Sequence, residues 1–120
     1  MTTNLKARLR AGEKLVGAWS VSDSPDNDEV MAQSGLDFLL MDHEHGQGTL
    51  PAAIAQLRAI KGTNCAGLMR VPWNDAVYIK RVLDAGIQGF MVPQVNTPEE
   101  AQAAVAACRY PPLGLRGAAG

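Results

Sequence analysis

Residues 38–46 read FLLMDHEHG, and the fold turns on how this stretch is interpreted. Four apolar residues, Phe38 to Met41, run without interruption into four polar ones, Asp42 to His45, and Gly46 follows. A strand with one wet face alternates apolar and polar side chains. An unbroken apolar run of this length instead reads as a strand covered on both faces, as parallel sheets require. The polar group that follows then lies in the loop at the carboxyl end of that strand.

Similar runs stand on either side, at 15–19, 67–71 and 89–92. Helix signals fill the gaps. Ser24-Pro25 opens a helix over 26–33 that Gly35 stops. Thr49 caps a helix from 50 to about 61, ended by Gly62, and Asn74 caps one over 75–85, ended by Gly86. Thr97-Pro98-Glu99-Glu100 is the sharpest start, with a capping Thr, Pro in the first turn and Glu three residues on to close a capping box. A short amphipathic helix through Leu5 and Leu9 precedes them all, and its basic bias is weak evidence for a transit peptide.

Strand and helix alternate four times, with strand starts about 22 to 29 residues apart, which implies parallel strands joined by right-handed crossovers. Two architectures share that pattern, an open doubly wound sheet and part of a (β/α)₈ barrel. No Gly-x-Gly-x-x-Gly turn follows the first strand and no Walker-type loop appears, so nucleotide folds find no support. A barrel needs eight units and about 250 residues. This chain of 120 residues holds four, one domain over 1–120, and ends in the Pro/Gly-rich stretch after Arg109, which reads as a piece of something longer.

Composition narrows the function classes. Eleven Lys and Arg against twelve Asp and Glu give a net charge of −1 with no basic run, which argues against nucleic acid as a partner. No apolar run approaches the roughly 20 residues of a membrane span, and the N-terminus lacks the apolar core of a secretory signal. Cys65 and Cys108 stand 43 positions apart without a CxxC or Cys/His cluster. A disulfide framework and a structural zinc site are therefore not expected, and a reducing, cytoplasmic setting is.

Parallel α/β folds build their sites at the carboxyl ends of the strands. Those ends carry Trp19-Ser20, Asp42-His43-Glu44-His45, Arg70 and Pro93-Gln94. An imidazole beside carboxylates suits a general base, with Asp42 or Glu44 orienting its second nitrogen. A solvated polar loop and a His-x-His metal pair are the alternatives, the latter lacking a visible third ligand. Arg70 ends an otherwise apolar strand and needs either an internal carboxylate or an anionic ligand. Trp19 lines the barrel mouth or fills a core layer. Lys61 and Lys80 are Schiff-base candidates by type, but they fall at a helix end and inside a helix. Ser20, Ser22 and Ser24 lack a nucleophile-elbow context. Asp84 sits in the last turn of its helix, where the dipole disfavours a carboxylate.

Three stretches carry a family resemblance: LLMDHEHG at 39–46, RVPWNDAVYIKRVLDAG at 70–86, and VPQVNTPEEAQAAVAACRYPPLGLRG at 92–117. Together they resemble the HpcH/HpaI aldolases, metal-dependent (class II) pyruvate aldolases. The resemblance runs in order over nearly the whole chain. It implies the N-terminal half of a TIM (β/α)₈ barrel, a homo-oligomer, and reversible cleavage of a 4-hydroxy-2-oxo acid or a 2-keto-3-deoxy sugar acid to pyruvate and an aldehyde. It further implies a divalent metal (Mg²⁺, Mn²⁺ or Co²⁺) acting as Lewis acid. By the same resemblance His45 is the general acid/base, Arg70 stabilises the enolate, Asp42 supports His45 and metal-bound water, Trp19 lines the substrate mouth, and Asp84 raises the basicity of the histidine.

The spacing sits uneasily with the last role, since about nine helical residues carry Asp84 roughly 14 Å from the active rim. That leaves either an early helix break or service to a neighbouring subunit's site. His43 stands where the family commonly has Gly, and is expected to narrow the pocket or change the aldehyde preference. The family's metal ligands, a Glu and an Asp from later strands, are expected beyond residue 120, and the 120 residues alone are expected to be inactive. The alternative is a non-catalytic α/β module that self-associates through open sheet edges.

Overall fold

The computed structural model describes residues 4–118; residues 1–3 of the N-terminal segment, and 119 and 120 at the chain's end, lie outside them. Four strands alternate with helices: α1 (Leu5–Arg10), β1 (Gly17–Ser20), α2 (Pro25–Gln33), β2 (Phe38–Asp42), α3 (Leu50–Ala59), β3 (Ala66–Arg70), α4 (Ala76–Asp84), β4 (Gly89–Met91) and α5 (Pro98–Cys108). All pairings are parallel, and the sheet order is β1-β2-β3-β4. A doubly wound sheet reverses its strand order at a switch point, and this sheet does not. Sequential order with one crossover hand places the helices on a single face, as in a barrel wall.

Each helix begins where a side chain satisfies its free N–H groups. Ser24, Thr49 and Thr97 cap α2, α3 and α5, and the capping box at Thr97 and Glu100 forms in both directions. The cap of α4 is Asp75 rather than Asn74: its two carboxylate oxygens accept from the Val77 and Tyr78 amides at 3.1 and 3.2 Å. Asn74 instead donates to the Glu100 carbonyl at 2.8 Å, tying the start of α4 to α5. Gly35, Gly62 and Gly86 follow α2, α3 and α4 at φ of 93°, 93° and 97°, the left-handed conformation that ends a helix most readily at glycine. In α1, Arg8 pairs with Glu13 and Asp37, each at 2.7 Å.

The core lies between sheet and helices. Leu39, Met41, Met69, Val71 and Val82 are fully buried there, with Ala18 and Phe90 packed alongside. The alternate strand positions face the other way. On that face the Phe38 ring lies across Gly17, where any side chain would collide with it, while Trp19 and Met91 are 48% and 46% exposed. Leu40, on the same face, is buried, so the apolar runs are fully covered on one face and only partly on the other. Their apolar character on the second face fits a barrel interior, which needs facing strands to bury it.

One polar knot sits inside the helix layer. Asp28 of α2 is fully buried, accepts from Ser20 Oγ of β1 at 2.5 Å, and accepts from Gln56 Nε2 of α3 at 2.7 Å. Burial raises its carboxyl pKa against the opposing pull of those two bonds. Ser20 thus turns into the helix layer and away from the rim. No helix among the described residues is long and apolar enough to cross a membrane.

Candidate active site

Register brings the ends of β2 and β3 together, with Asp42 opposite Arg70. Both side chains stand on the face away from the helices. Arg70 grips Asp42 with two bonds, Nε to Oδ1 at 3.0 Å and Nη2 to Oδ2 at 2.6 Å. Its Nη1 lies 3.0 Å from Glu44 Oε2, and the guanidinium carbon lies 4.6 Å from the centre of the Trp19 ring. Three strand ends therefore converge on one cation. The carboxylate partners expected for an arginine at this position are Asp42 and Glu44. Two of the five guanidinium N–H groups donate to Asp42 and a third faces Glu44, so two remain for a ligand oxygen.

Asp42 organises the loop as well. Its Oδ1 accepts from the backbone amides of Glu44 at 3.0 Å and His45 at 3.2 Å. Arg70 first, then those amides, hold its carboxyl down to about 2 from an ordinary 3.8. Because the folded value is depressed, the stability it contributes is complete above pH 3.8 and is lost as pH falls towards 2. We expect urea midpoints to fall over that window by the equivalent of about 2 kcal/mol, and Asp42→Asn to flatten this part of the profile. A profile unchanged in the variant would contradict the assignment.

His45 shares the rim but is held loosely. Its side chain is 75% exposed, and Nε2 lies 3.8 Å from Glu44 Oε1, beyond hydrogen-bond reach. Asp42 reaches His45 through the backbone amide rather than the ring. Trp19, Asp42, Glu44, His45 and Arg70 form one group.

The other candidates lie elsewhere. Asp84, at the far end of α4, accepts from Arg116 Nη2 at 2.8 Å. It lines an open cavity of about 760 Å³ with Leu57, Lys61 and Gly86, residues from the helix ends opposite the rim. Lys61 is exposed just past α3, and Lys80 lies within α4. His43 is a correction to the sequence reading: it is buried, with Nδ1 2.7 Å from the Tyr78 hydroxyl on α4. Strand alternation turns it to the helix side, opposite Asp42, so it does not narrow the mouth around Arg70. The sequence offers Glu44 as an orienter of the histidine but not as a partner of Arg70, and it does not reveal Tyr78; strand alternation assigns His43 to the helix side without naming its partner.

Among the described residues no group of three His, Cys, Asp or Glu side chains could hold a metal ion. The nearest candidates, Asp42 and Glu44, are both engaged by Arg70. These residues alone do not form a metal cage.

The geometry has close counterparts. The 4-strand unit superposes on a HpcH/HpaI aldolase/citrate lyase family protein from Burkholderia cenocepacia J2315 with a TM-score of 0.93 at 39% identity, covering 99% of this chain and 49% of that one. The chain is 50% identical over 115 residues to a hydroxypyruvate/pyruvate aldolase from Sagittula stellata, covering 96% of this chain and 46% of the relative. It is also 50% identical over 118 residues to a 4-hydroxy-2-oxovalerate aldolase from Novosphingobium aromaticivorans, covering 98% of this chain and 45% of the relative. The chain thus spans just under half the length of the curated relatives it matches. The HpcH/HpaI aldolase/citrate lyase profile matches residues 15–120, which include all four strands and every residue gathered around Arg70, and the chain belongs to that family.

Proposed function

We propose that this chain supplies the acid/base and enolate-binding part of a pyruvate aldolase built on one (β/α)₈-barrel domain. The substrate class is a 4-hydroxy-2-oxo acid or a 2-keto-3-deoxy sugar acid, and the products are pyruvate and an aldehyde. The observation that carries the reading is the clamp at Arg70, where a guanidinium fixed by Asp42 and Glu44 over Trp19 retains N–H donors at the strand-end rim.

In the cleavage direction His45 takes the proton of the 4-hydroxyl group. The C3–C4 bond breaks, C4 leaves as the aldehyde carbonyl, and the electron pair moves into the pyruvate enolate. Arg70 hydrogen-bonds the developing enolate oxygen, a role its rigid planar donors suit. A protonated His45 then returns a proton to C3. Trp19 packs against the flat face of the guanidinium and limits its movement.

Arg70 with two carboxylates leaves the rim one negative charge in excess, so an anionic oxo acid needs further positive charge there. A divalent cation (Mg²⁺, Mn²⁺ or Co²⁺) would supply it as a Lewis acid, with ligands outside these 120 residues. Asp84, remote from the rim here, is assigned to a neighbouring subunit's site in a homo-oligomer. The setting is cytoplasmic.

The test is pyruvate release, coupled to NADH oxidation, from 4-hydroxy-2-oxo acids and 2-keto-3-deoxy sugar acids. Extended to the length of its relatives, the protein is expected to release pyruvate with added Mg²⁺ or Mn²⁺ and to stop on chelation. The 120-residue chain is expected to release none. No pyruvate from the extended protein sinks the aldolase reading, and turnover by the 120 residues sinks the division of the site. The second reading, self-association without catalysis, draws on the exposed Trp19 and Met91 between the open edges of β1 and β4.

A further inference from the structure

His43 makes contacts that the proposed chemistry does not use. It follows the last residue of β2, is 6% exposed, and donates its backbone amide to the Arg70 carbonyl at 2.9 Å. The imidazole packs edge-on to the Tyr78 ring with centroids 6.4 Å apart. Gly48 closes the loop over it so tightly that an added Cβ would run into the imidazole. Between these two supports lie Glu44 and His45.

The hydrogen-bond inventory limits where the proton can sit. A neutral imidazole offers one donor and one acceptor. Burial raises the Tyr78 hydroxyl pKa and so keeps its proton, and burial lowers that of His43 and keeps it neutral against the pull of Asp23 and Asp42. The Tyr78 hydroxyl can donate to Nδ1 or accept from it; with Tyr78 as donor, Nδ1 accepts and Nε2 carries the hydrogen. Nε2 is buried without a partner among the described residues, and so is Asp23 Oδ1. Asp23 sits in the β1–α2 loop at φ 52°, a left-handed conformation uncommon outside glycine. Asp23 acts electrostatically on His43, and the two buried atoms, His43 Nε2 and Asp23 Oδ1, each carry a desolvation cost that one water between them removes.

We propose that His43 is a positioning residue: as the neutral Nε2–H tautomer it links Tyr78 of α4 to Asp23 of the β1–α2 loop, and thereby fixes the loop that presents Glu44 and His45. Only the catalytic meaning of that loop rests on the aldolase reading; the clamp itself is a property of this chain.

Nitrogen-15 NMR of the 120-residue protein tests it without turnover, because His43 and His45 are the chain's two histidines and both imidazoles can be followed. The wild type is expected to show the Nε2–H tautomer at His43 at pH 7. Tyr78→Phe keeps the ring and removes the hydroxyl, and Asp23→Ala removes the other anchor. Either is expected to shift the His43 tautomer balance and to speed amide exchange at Glu44 and His45 about tenfold, the equivalent of one hydrogen bond. Exchange at Ala101 in α5 is expected to stay unchanged. An Nδ1–H tautomer in the wild type, unaltered exchange at 44 and 45, or an equal change at Ala101 overturns the proposal. A failed pyruvate assay in the extended protein overturns the aldolase reading and leaves these readouts standing.

Discussion

Arg70→Met is expected to cost about 3 kcal/mol of folding stability at pH 7, the lower end of what breaking a buried ion pair costs. The variant keeps most of the side chain's length and its packing against Trp19. It removes the charge that Asp42 and Glu44 share, and the Asp42 side chain is only 4% exposed. Its two backbone amide bonds remain, which holds the loss below the upper end. The sign of the pH dependence then reverses. In the wild type Asp42 is held to about 2, so acidification below 3.8 removes stability. In the variant a buried, unpaired carboxylate has a raised pKa, so acidification relieves it. Urea denaturation at pH 7 and pH 4 should therefore show a gap between the two proteins that narrows at the lower pH. An equal gap at both would mean that lost packing, rather than stranded charge, sets the cost. In the extended protein the same change is expected to lower pyruvate release 10²–10³-fold, the scale for losing one oxyanion donor. Arg70→Lys retains the charge but not the two-pronged grip, and is expected to fall between.

Asp28→Ala is the second large effect, at about 3 kcal/mol. It leaves a void between α2 and α3 and takes the acceptor from both Ser20 Oγ and Gln56 Nε2, which are buried with it. Ser20 and Gln56 keep a 3.4 Å contact with each other, too long to replace what is lost. Asp28→Asn should behave differently, remaining within about 1 kcal/mol of the wild type or exceeding it. The amide removes a charge whose ionisation burial already opposes. Its NH₂ group also brings a donor near Gln56 Oε1, which is buried without a partner among the described residues. Thermal melts of the two variants side by side separate the explanations. If Asp28→Asn is as damaging as Asp28→Ala, the carboxylate's charge matters in a way this geometry does not express.

The strands and helices were legible because each signal was local. FLLM reads as a strand by its short length between turn signals, and Ser24, Thr49 and Thr97 announce helix starts by their own hydroxyls. Asp75 displaced Asn74 as a cap because two carboxylate oxygens can serve two amides where one amide oxygen serves fewer. Strand order could not be read, since the same alternation of elements suits a doubly wound sheet. At the rim, Asp42 and Arg70 could each be named, but their pairing depends on the β2–β3 register, which composition does not encode. Asp28 was hidden for a related reason: the α2 sequence PDNDEVMAQ looks like a solvated surface helix, and only the contact with α3 reveals which carboxylate turns inward. Asp84 was doubted from helix rise alone, and the structure places it with Arg116.

Because each strand pairs with the one before it in the chain, assembly can follow synthesis. Each β-segment after the first meets an edge already made and docks within one unit's length of sequence, at little loop-closure cost. β1 need not wait for a distant partner, and the Asp42–Arg70 clamp can close as soon as β3 emerges, while α4 is still being made. Growth from one side lets each βα unit settle on those already in place.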